Sequence, residues 1–298
     1  MIGSSDSPTE HPLSARRGIA ESRQRLLREI SGAPDVTFIR AGGNIGDHLI
    51  HAGTRRLLAG VRYEEIRLRK RREEEVRGQG SPGRPSPGSS KGARLPRHRE
   101  AGIGGLGGVR GHTALVTGGG GWCRPFHGTW PAVLPLLERR FERVIVLPSS
   151  VDVSVEEVRE AFARSKALVF ARERDSYRQL RELCRAELAH DCAFFFDFGP
   201  YGHHGEGLLR AYRTDAESAS GGQVPPENND ISRTCDSLDQ WLWTIARHEV
   251  VETDRAHVMI AAAMLGKRVR YRPSNYHKVP AIAEYALEGF PIERVPLR

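Results

Sequence analysis

Short apolar runs recur along the chain, each followed by a glycine-rich or polar turn and then by a stretch with apolar positions at helical spacing. Leu and Ile positions set among Arg and Glu predict a surface helix over 13–30, after a polar start. Asp35-Val36-Thr37-Phe38-Ile39-Arg40 predicts a strand, and a glycine-rich turn over 41–46 leads from it into a helix. Residues 113–117 predict a buried strand that runs into four glycines, Gly118 to Gly121. Beyond them the pattern predicts an apolar helix to about Leu137, a strand over 143–150, a helix over 156–165, a strand over 167–171, a helix over 176–188 and a strand over 193–198. Near the end, Thr253-Asp254-Arg255-Ala256-His257 separates a short apolar run from a stretch rich in Ala and Met, which predicts strand, turn and a buried helix ending at Gly266. A last helix is expected over 279–287. The alternation of strand and helix predicts parallel sheets with crossover helices.

Sheets of that kind bind ligands outside the carboxyl ends of their strands. The loops that matter are therefore 42–47, 118–127, 149–151, 172–175 and 253–257. In the last of these, Arg255 and His257 stand at a helix N-terminus, where free backbone N–H groups and a partial positive charge favour a phosphate or carboxylate. A plainer role is open: Thr253 and Asp254 cap the helix, Arg255 is solvated and His257 packs in the core. Arg172-Glu173-Arg174-Asp175 divides in the same way, between an anion site and a surface charge cluster that caps the next helix. The turn over 41–46 lacks both the Gly-x-Gly-x-x-Gly pattern and a lysine after its last glycine, so dinucleotide and nucleoside-triphosphate chemistry are not indicated. His48 and His51, one helical turn apart, could share a metal, but no third ligand is evident and no metal is expected.

Composition sharpens this picture at one place. Of 298 residues 39% are hydrophobic, ordinary for a soluble globular protein, and the net charge is +8. Twelve basic and four acidic residues fall between Arg67 and Gly111, so that one segment carries the whole excess and the remainder is neutral. A nucleic-acid partner is therefore not expected. Rich in Gly, Pro and Arg, 67–111 is expected to be a disordered basic insert, native or produced by a local frame error in GC-rich coding DNA. The organisation expected is a tail and helix over 1–34, a Rossmann-like unit over 35–160 that carries the insert, and a second Rossmann-like unit over 161–298. No secretory segment and no membrane-length apolar run is evident, and the four cysteines form no Cys-x-x-Cys pair. Reduced thiols and a cytoplasmic location, with peripheral contact to the inner membrane face left open, are expected.

Taken in order, several pieces resemble the polysaccharide pyruvyl transferase family: Gly43-Asn44-Ile45-Gly46-Asp47, Gly118-Gly119-Gly120, Leu147-Pro148-Ser149-Ser150, Phe170-Ala171-Arg172-Glu173-Arg174-Asp175, Asp191-Cys192-Ala193-Phe194, Arg213-Thr214-Asp215-Ala216-Glu217, Thr253-Asp254-Arg255-Ala256-His257 and Asn275-Tyr276-His277-Lys278. Ala256, Val258 and His190 depart from the family's usual residues. The resemblance implies two Rossmann-like parallel-sheet domains facing across a cleft, GT-B-like, and transfer of pyruvate from phosphoenolpyruvate to a pair of sugar hydroxyls as a ketal. It implies Arg172 and Arg255 as the cations for the donor, with His257 beside it; since an imidazole can supply or remove the protons of such a transfer, His257 is the first candidate acid or base and His127, in a glycine-flanked loop, the second. Asn44, Asp47, Gly119 and Gly120 are the expected binding residues of the glycine-rich turns. No cofactor is implied beyond the donor, and the partner is a sugar or lipid-linked oligosaccharide held by irregular loops at 118–130, 199–207 and 218–232. Alternatives are a GT-B-like glycosyltransferase using a nucleotide sugar, or a degenerate paralogue without activity.

Overall fold

In the computed structural model, which describes residues 12–68 and 98–296, two parallel sheets organise the chain. The first contains β1 (Val36–Ala41), β2 (Tyr63–Leu68), β3 (His98–Ala101), β4 (Gly111–Val116), β5 (Gly119–Trp122), β6 (Phe141–Val151), β7 (Leu168–Ala171) and β8 (Ala186–Leu188). Its order is β3-β2-β1-β4-β6-β7-β8, with β5 also on β6. β4 and β5 share the long β6: Gly111 to Val116 pair with its first half, then Gly119 and Trp122 pair with Ser149 and Val151. The step between them demands glycine. A Cβ on Gly118 would lie 2.4 Å from the Pro148 carbonyl oxygen, and Gly119 has φ +115°. The second sheet, ordered β12-β11-β10-β9, uses β9 (Leu208–Ala211), β10 (Val250–Thr253), β11 (Arg268–Tyr271) and β12 (Ile292–Arg294).

The helices are α1 (Leu13–Ile30), α2 (Ile45–Leu57), α3 (Trp130–Glu138), α4 (Glu156–Ala163), α5 (Arg174–Leu180), the short α6 (Ile231–Thr234), α7 (Leu238–Ala246), α8 (Ala256–Met264) and α9 (Lys278–Ala286). α1 buries Ala15, Ser22, Leu26 and Ile30, the stripe expected of a surface helix. α8 is almost wholly buried, which explains its run of Val, Met, Ile and Ala without a polar face. Ile45 and Leu49 of α2 pack into the same core as Val251, Met259 and Trp241, so the first sheet's helix also closes the core of the second.

Four expectations change. The sheets divide the chain after Leu188 rather than at residue 160, because β7 and β8 pair onto β6. The helix expected over 176–188 ends at Leu180, and β8 occupies its last part. Residues 193–198 form no strand: Cys192–Phe195 is a 3-10 turn, started by the Asp191 carboxylate accepting from the Ala193 N–H at 2.8 Å. That run is apolar because it joins two cores, with Phe194 in one and Phe195 in the other. The expected insert narrows as well. β3 pairs with β2, and Leu68, Leu106 and Val109 are buried, so both ends of 67–111 belong to the fold, while 69–97 lies outside the described residues. The four cysteines are free, and among the described residues no helix is long and apolar enough to cross a membrane.

Candidate active site

A cavity of about 360 Å³ opens where strands of both sheets end. Three crossover loops supply its main features. Arg172 follows β7 directly, Arg255 follows β10, and the turn after β1 brings Asn44 and Asp47. Asn44, Asp47, Gly120, Arg172, Arg255 and His257 all line the space, so six of the eight residues singled out from sequence meet there.

Asn44 and Asp47 have a second duty. The Asn44 side chain accepts from the Gly46 N–H at 2.8 Å, and the Asp47 carboxylate accepts from the Asn44 N–H at 2.9 Å, a reciprocal capping box that starts α2. Its other carboxylate oxygen faces His257 Nδ1 at 4.0 Å. His257 is flanked on its far side too: Nε2 lies 3.7 Å from Asp191 and 3.3 Å from Arg172 Nη1. Arg172 is 1% exposed, donates from Nη1 to Asp191 at 2.7 Å and from Nε to the Ser150 hydroxyl at 2.8 Å. Burial pushes Asp191 up, but His257 and the Arg172 guanidinium outweigh it and hold the carboxyl well below its ordinary value.

Arg255 is held by two carboxylates. Nε and Nη2 clasp both oxygens of Asp230 at 2.7 and 2.6 Å, and Nη2 also reaches Asp215 at 3.2 Å. It is buried rather than solvated. Asp254 does not cap α8; it accepts from the Arg213 N–H at 2.7 Å, and burial pushes its carboxyl up to about 6. Thr253 accepts from the Arg255 N–H at 3.0 Å, yet no side chain caps the first turn of α8, which brings Ala256 and His257 to the cavity.

Two expected residues stand elsewhere. Gly119 shapes the loop without lining the cavity, since a Cβ there would meet Ile50 at 2.8 Å. His127 turns away: its neighbours Phe126 and Gly128 face the cavity, whereas its own ring lines a separate hollow with residues of α3 and α4. His51 packs beside Phe38 with its imidazole lowered to about 3 by burial, and among the described residues no cluster of three metal-ligating side chains forms.

Arg213, Glu217 and Lys278, which the sequence places in family-like pieces without a site role, also line the cavity. Arg213 clasps Asp215 at 2.7 and 3.1 Å and pairs with Glu217, which also pairs with Lys278. They follow β9 and β11, so the rule that ligand loops sit at strand carboxyl ends reaches them once those two strands are known. Burial, with the nearby guanidiniums, pulls the Lys278 amine below its ordinary value against Glu217.

Solved structures share this architecture. A functionally uncharacterised protein of Klebsiella pneumoniae is 19% identical, with a TM-score of 0.63 over 94% of this chain and 99% of that one. UDP-GlcNAc 2-epimerase of Methanocaldococcus jannaschii is 10% identical, with a TM-score of 0.50 over 88% of each chain. These likenesses are of fold, and they make the α/β architecture GT-B-like. No curated protein matches the chain. The polysaccharide pyruvyl transferase model matches residues 44–271, a span that runs from the Asn44 cap to the end of β11 and holds Arg172, Arg255 and His257. The chain therefore belongs to the polysaccharide pyruvyl transferase family.

Proposed function

We propose that the cavity takes phosphoenolpyruvate as donor and transfers its pyruvate to two hydroxyls of a sugar acceptor as a ketal. The carrying observation is that Arg172 and Arg255, from loops of different sheets, line one cavity with His257 beside them. A dianionic three-carbon donor suits that arrangement, because guanidinium forks and the uncapped start of α8 match carboxylate and phosphate oxygens. The volume agrees: about 360 Å³ stands at the small end of ligand sites, room for such a donor and an edge of a sugar.

Protonation of the donor's methylene carbon makes a methyl group and an oxocarbenium-like centre, and one sugar hydroxyl adds there as it gives up its proton. Phosphate then leaves with the C–O bonding pair, and the second hydroxyl closes the ketal with loss of its own proton. The balance is donor plus diol giving ketal plus inorganic phosphate. His257, between the carboxylates of Asp47 and Asp191, is placed to give and take these protons. On the acceptor side stand Phe126, 48% exposed at the cavity wall, and the loop over 125–130. An aromatic face of that kind packs against the apolar face of a sugar ring. Ser232 is the one residue of the expected loop at 218–232 that reaches the cavity wall, apart from which 199–207 contributes nothing to it.

Thermal melting tests the donor. Phosphoenolpyruvate at about a hundred times its dissociation constant stabilises the protein by about 2.7 kcal/mol, a rise of several degrees. A shift with UDP-sugars and none with phosphoenolpyruvate would instead support the nucleotide-sugar alternative.

A further inference from the structure

Gly120 lies at the centre of an arrangement that the pairings above leave unused. A Cβ built on it would stand 3.7 Å from Lys278 Nζ, 3.7 Å from the Tyr276 hydroxyl and 3.8 Å from Arg172 Nη2. Three donors from two loops, the one after β7 and the one after β11, thus converge on a point that glycine keeps empty. Each has hydrogens to spare. Arg172 uses Nε and Nη1 on Ser150 and Asp191, leaving Nη2 without a protein partner among the described residues. Lys278 gives one hydrogen to Glu217, and an ammonium has three. The Tyr276 hydroxyl is buried and makes no hydrogen bond of good geometry, although Glu217 and Cys123 lie near it. Leaving such a group without a well-made hydrogen bond is costly, so its retention asks for a ligand.

Resting on the donor assigned above, we infer that the phosphate group of phosphoenolpyruvate sits over Gly120, bound by Lys278, Tyr276 and Arg172 Nη2. A phosphate offers three terminal oxygens in a pyramid, one for each donor, whereas a planar carboxylate offers two. Burial beside Cys123 and Glu217 pushes the tyrosine phenol well above its ordinary value, which keeps it a donor at neutral pH. With the phosphate there, the carboxylate lies toward Arg255 and the start of α8, and the enol carbons lie near His257. The inorganic phosphate product occupies the same seat and competes with the donor.

Two conservative variants test this without dismantling the salt bridges. Tyr276→Phe removes only a hydroxyl that makes no hydrogen bond of good geometry, and Gly120→Ala introduces a methyl in ordinary contact with its neighbours, at a residue without positive φ. Calorimetric titration of full-length wild type and both variants with phosphoenolpyruvate, inorganic phosphate and pyruvate gives the comparison. We expect melting temperatures to stay unchanged, phosphoenolpyruvate and phosphate to weaken about tenfold or more in both variants, and pyruvate, which lacks the phosphate, to bind as in wild type. Wild-type affinity for phosphate in Tyr276→Phe, or equal weakening of pyruvate and phosphate in both variants, overturns the phosphate seat while leaving the donor in place. Phosphate bound at this seat with no binding of phosphoenolpyruvate by wild type sinks the donor and keeps the seat; no binding of either sinks both.

Discussion

Arg172 and Arg255 reach one cavity from different sheets, and they are held there in different ways. Arg172 has a single carboxylate partner and a hydroxyl, so one corner of its fork points into open space toward Gly120. Arg255 is clasped by Asp230 through two bonds and touched by Asp215 as well. One guanidinium keeps a corner free for the proposed donor; the other, besides lining the cavity, ties the β10 loop to the loops before α6 and after β9. Residues of one type, lining one cavity, therefore differ in how much of each fork is left over for a ligand, according to how many carboxylates surround them.

The largest effect belongs to the clasped side. Arg255→Ala leaves Asp230 buried without its cation and is expected to lower the unfolding free energy by about 3–5 kcal/mol in urea titration. Lysine sharpens the contrast. Arg172→Lys keeps a charge for Asp191 but gives up the free corner, so the donor KM is expected to rise about tenfold with a small change in Tm, whereas Arg255→Lys lowers Tm more than it changes KM. Equal behaviour of the two lysine variants would erase the distinction.

Acid should loosen the whole ion-paired framework. Against the upward pull of burial, Arg55 and Arg40 hold Glu65 at about 2, and Arg213 with Arg255 holds Asp215 at about 2. Burial lowers His51 to about 3 and His190 to about 4. All four bind protons less readily folded than unfolded. Their contribution is complete above the unfolded values, near 6.5 for the histidines and near 4 for the acids, and is lost as pH falls through the folded values. Asp254, raised to about 6, works the other way, favouring the fold below about pH 4 and losing that advantage as pH rises through 6. Chemical denaturation from pH 7 to 3 should therefore show stability falling, and falling less steeply in wild type than in Asp254→Asn. The smallest effect is expected at Phe126→Ala, which leaves Tm and the donor KM unchanged and raises the acceptor KM several-fold, since the ring is half exposed at the cavity wall.

Legibility in the sequence followed how uniformly each strand is buried. β1, β4, β6, β7 and β10 carry apolar runs, and the turns after them gave Asn44, Asp47, Gly120, Arg172, Arg255 and His257 correctly as neighbours. β9 and β11 stayed hidden because one face of the second sheet is charged: Arg210, Glu252 and Arg270 stand in register, with Arg210–Glu252 and Arg270–Glu252 contacts of 3.3 Å. A parallel strand with one face in solvent alternates, against the continuous apolar run expected of such sheets. With those strands unseen, the loops that carry Arg213, Glu217 and Lys278 had no strand end to mark them. His127 shows a different gap: glycine-flanked residues in a turn give no sequence signal for which way each side chain faces.

The central claim is a donor reaction in the cavity shared by Arg172, Arg255 and His257. Phosphate release from phosphoenolpyruvate, measured with a panel of acceptor glycans and with the ketal methyl signal followed by proton NMR, tests it most directly. We expect release that depends on a glycan, matched one for one by ketal, and abolished in His257→Ala while phosphoenolpyruvate still raises that variant's Tm. Glycan-dependent release that persists undiminished in folded His257→Ala would contradict the account, as would a wild type that releases no phosphate with any acceptor and shows no melting shift with the donor.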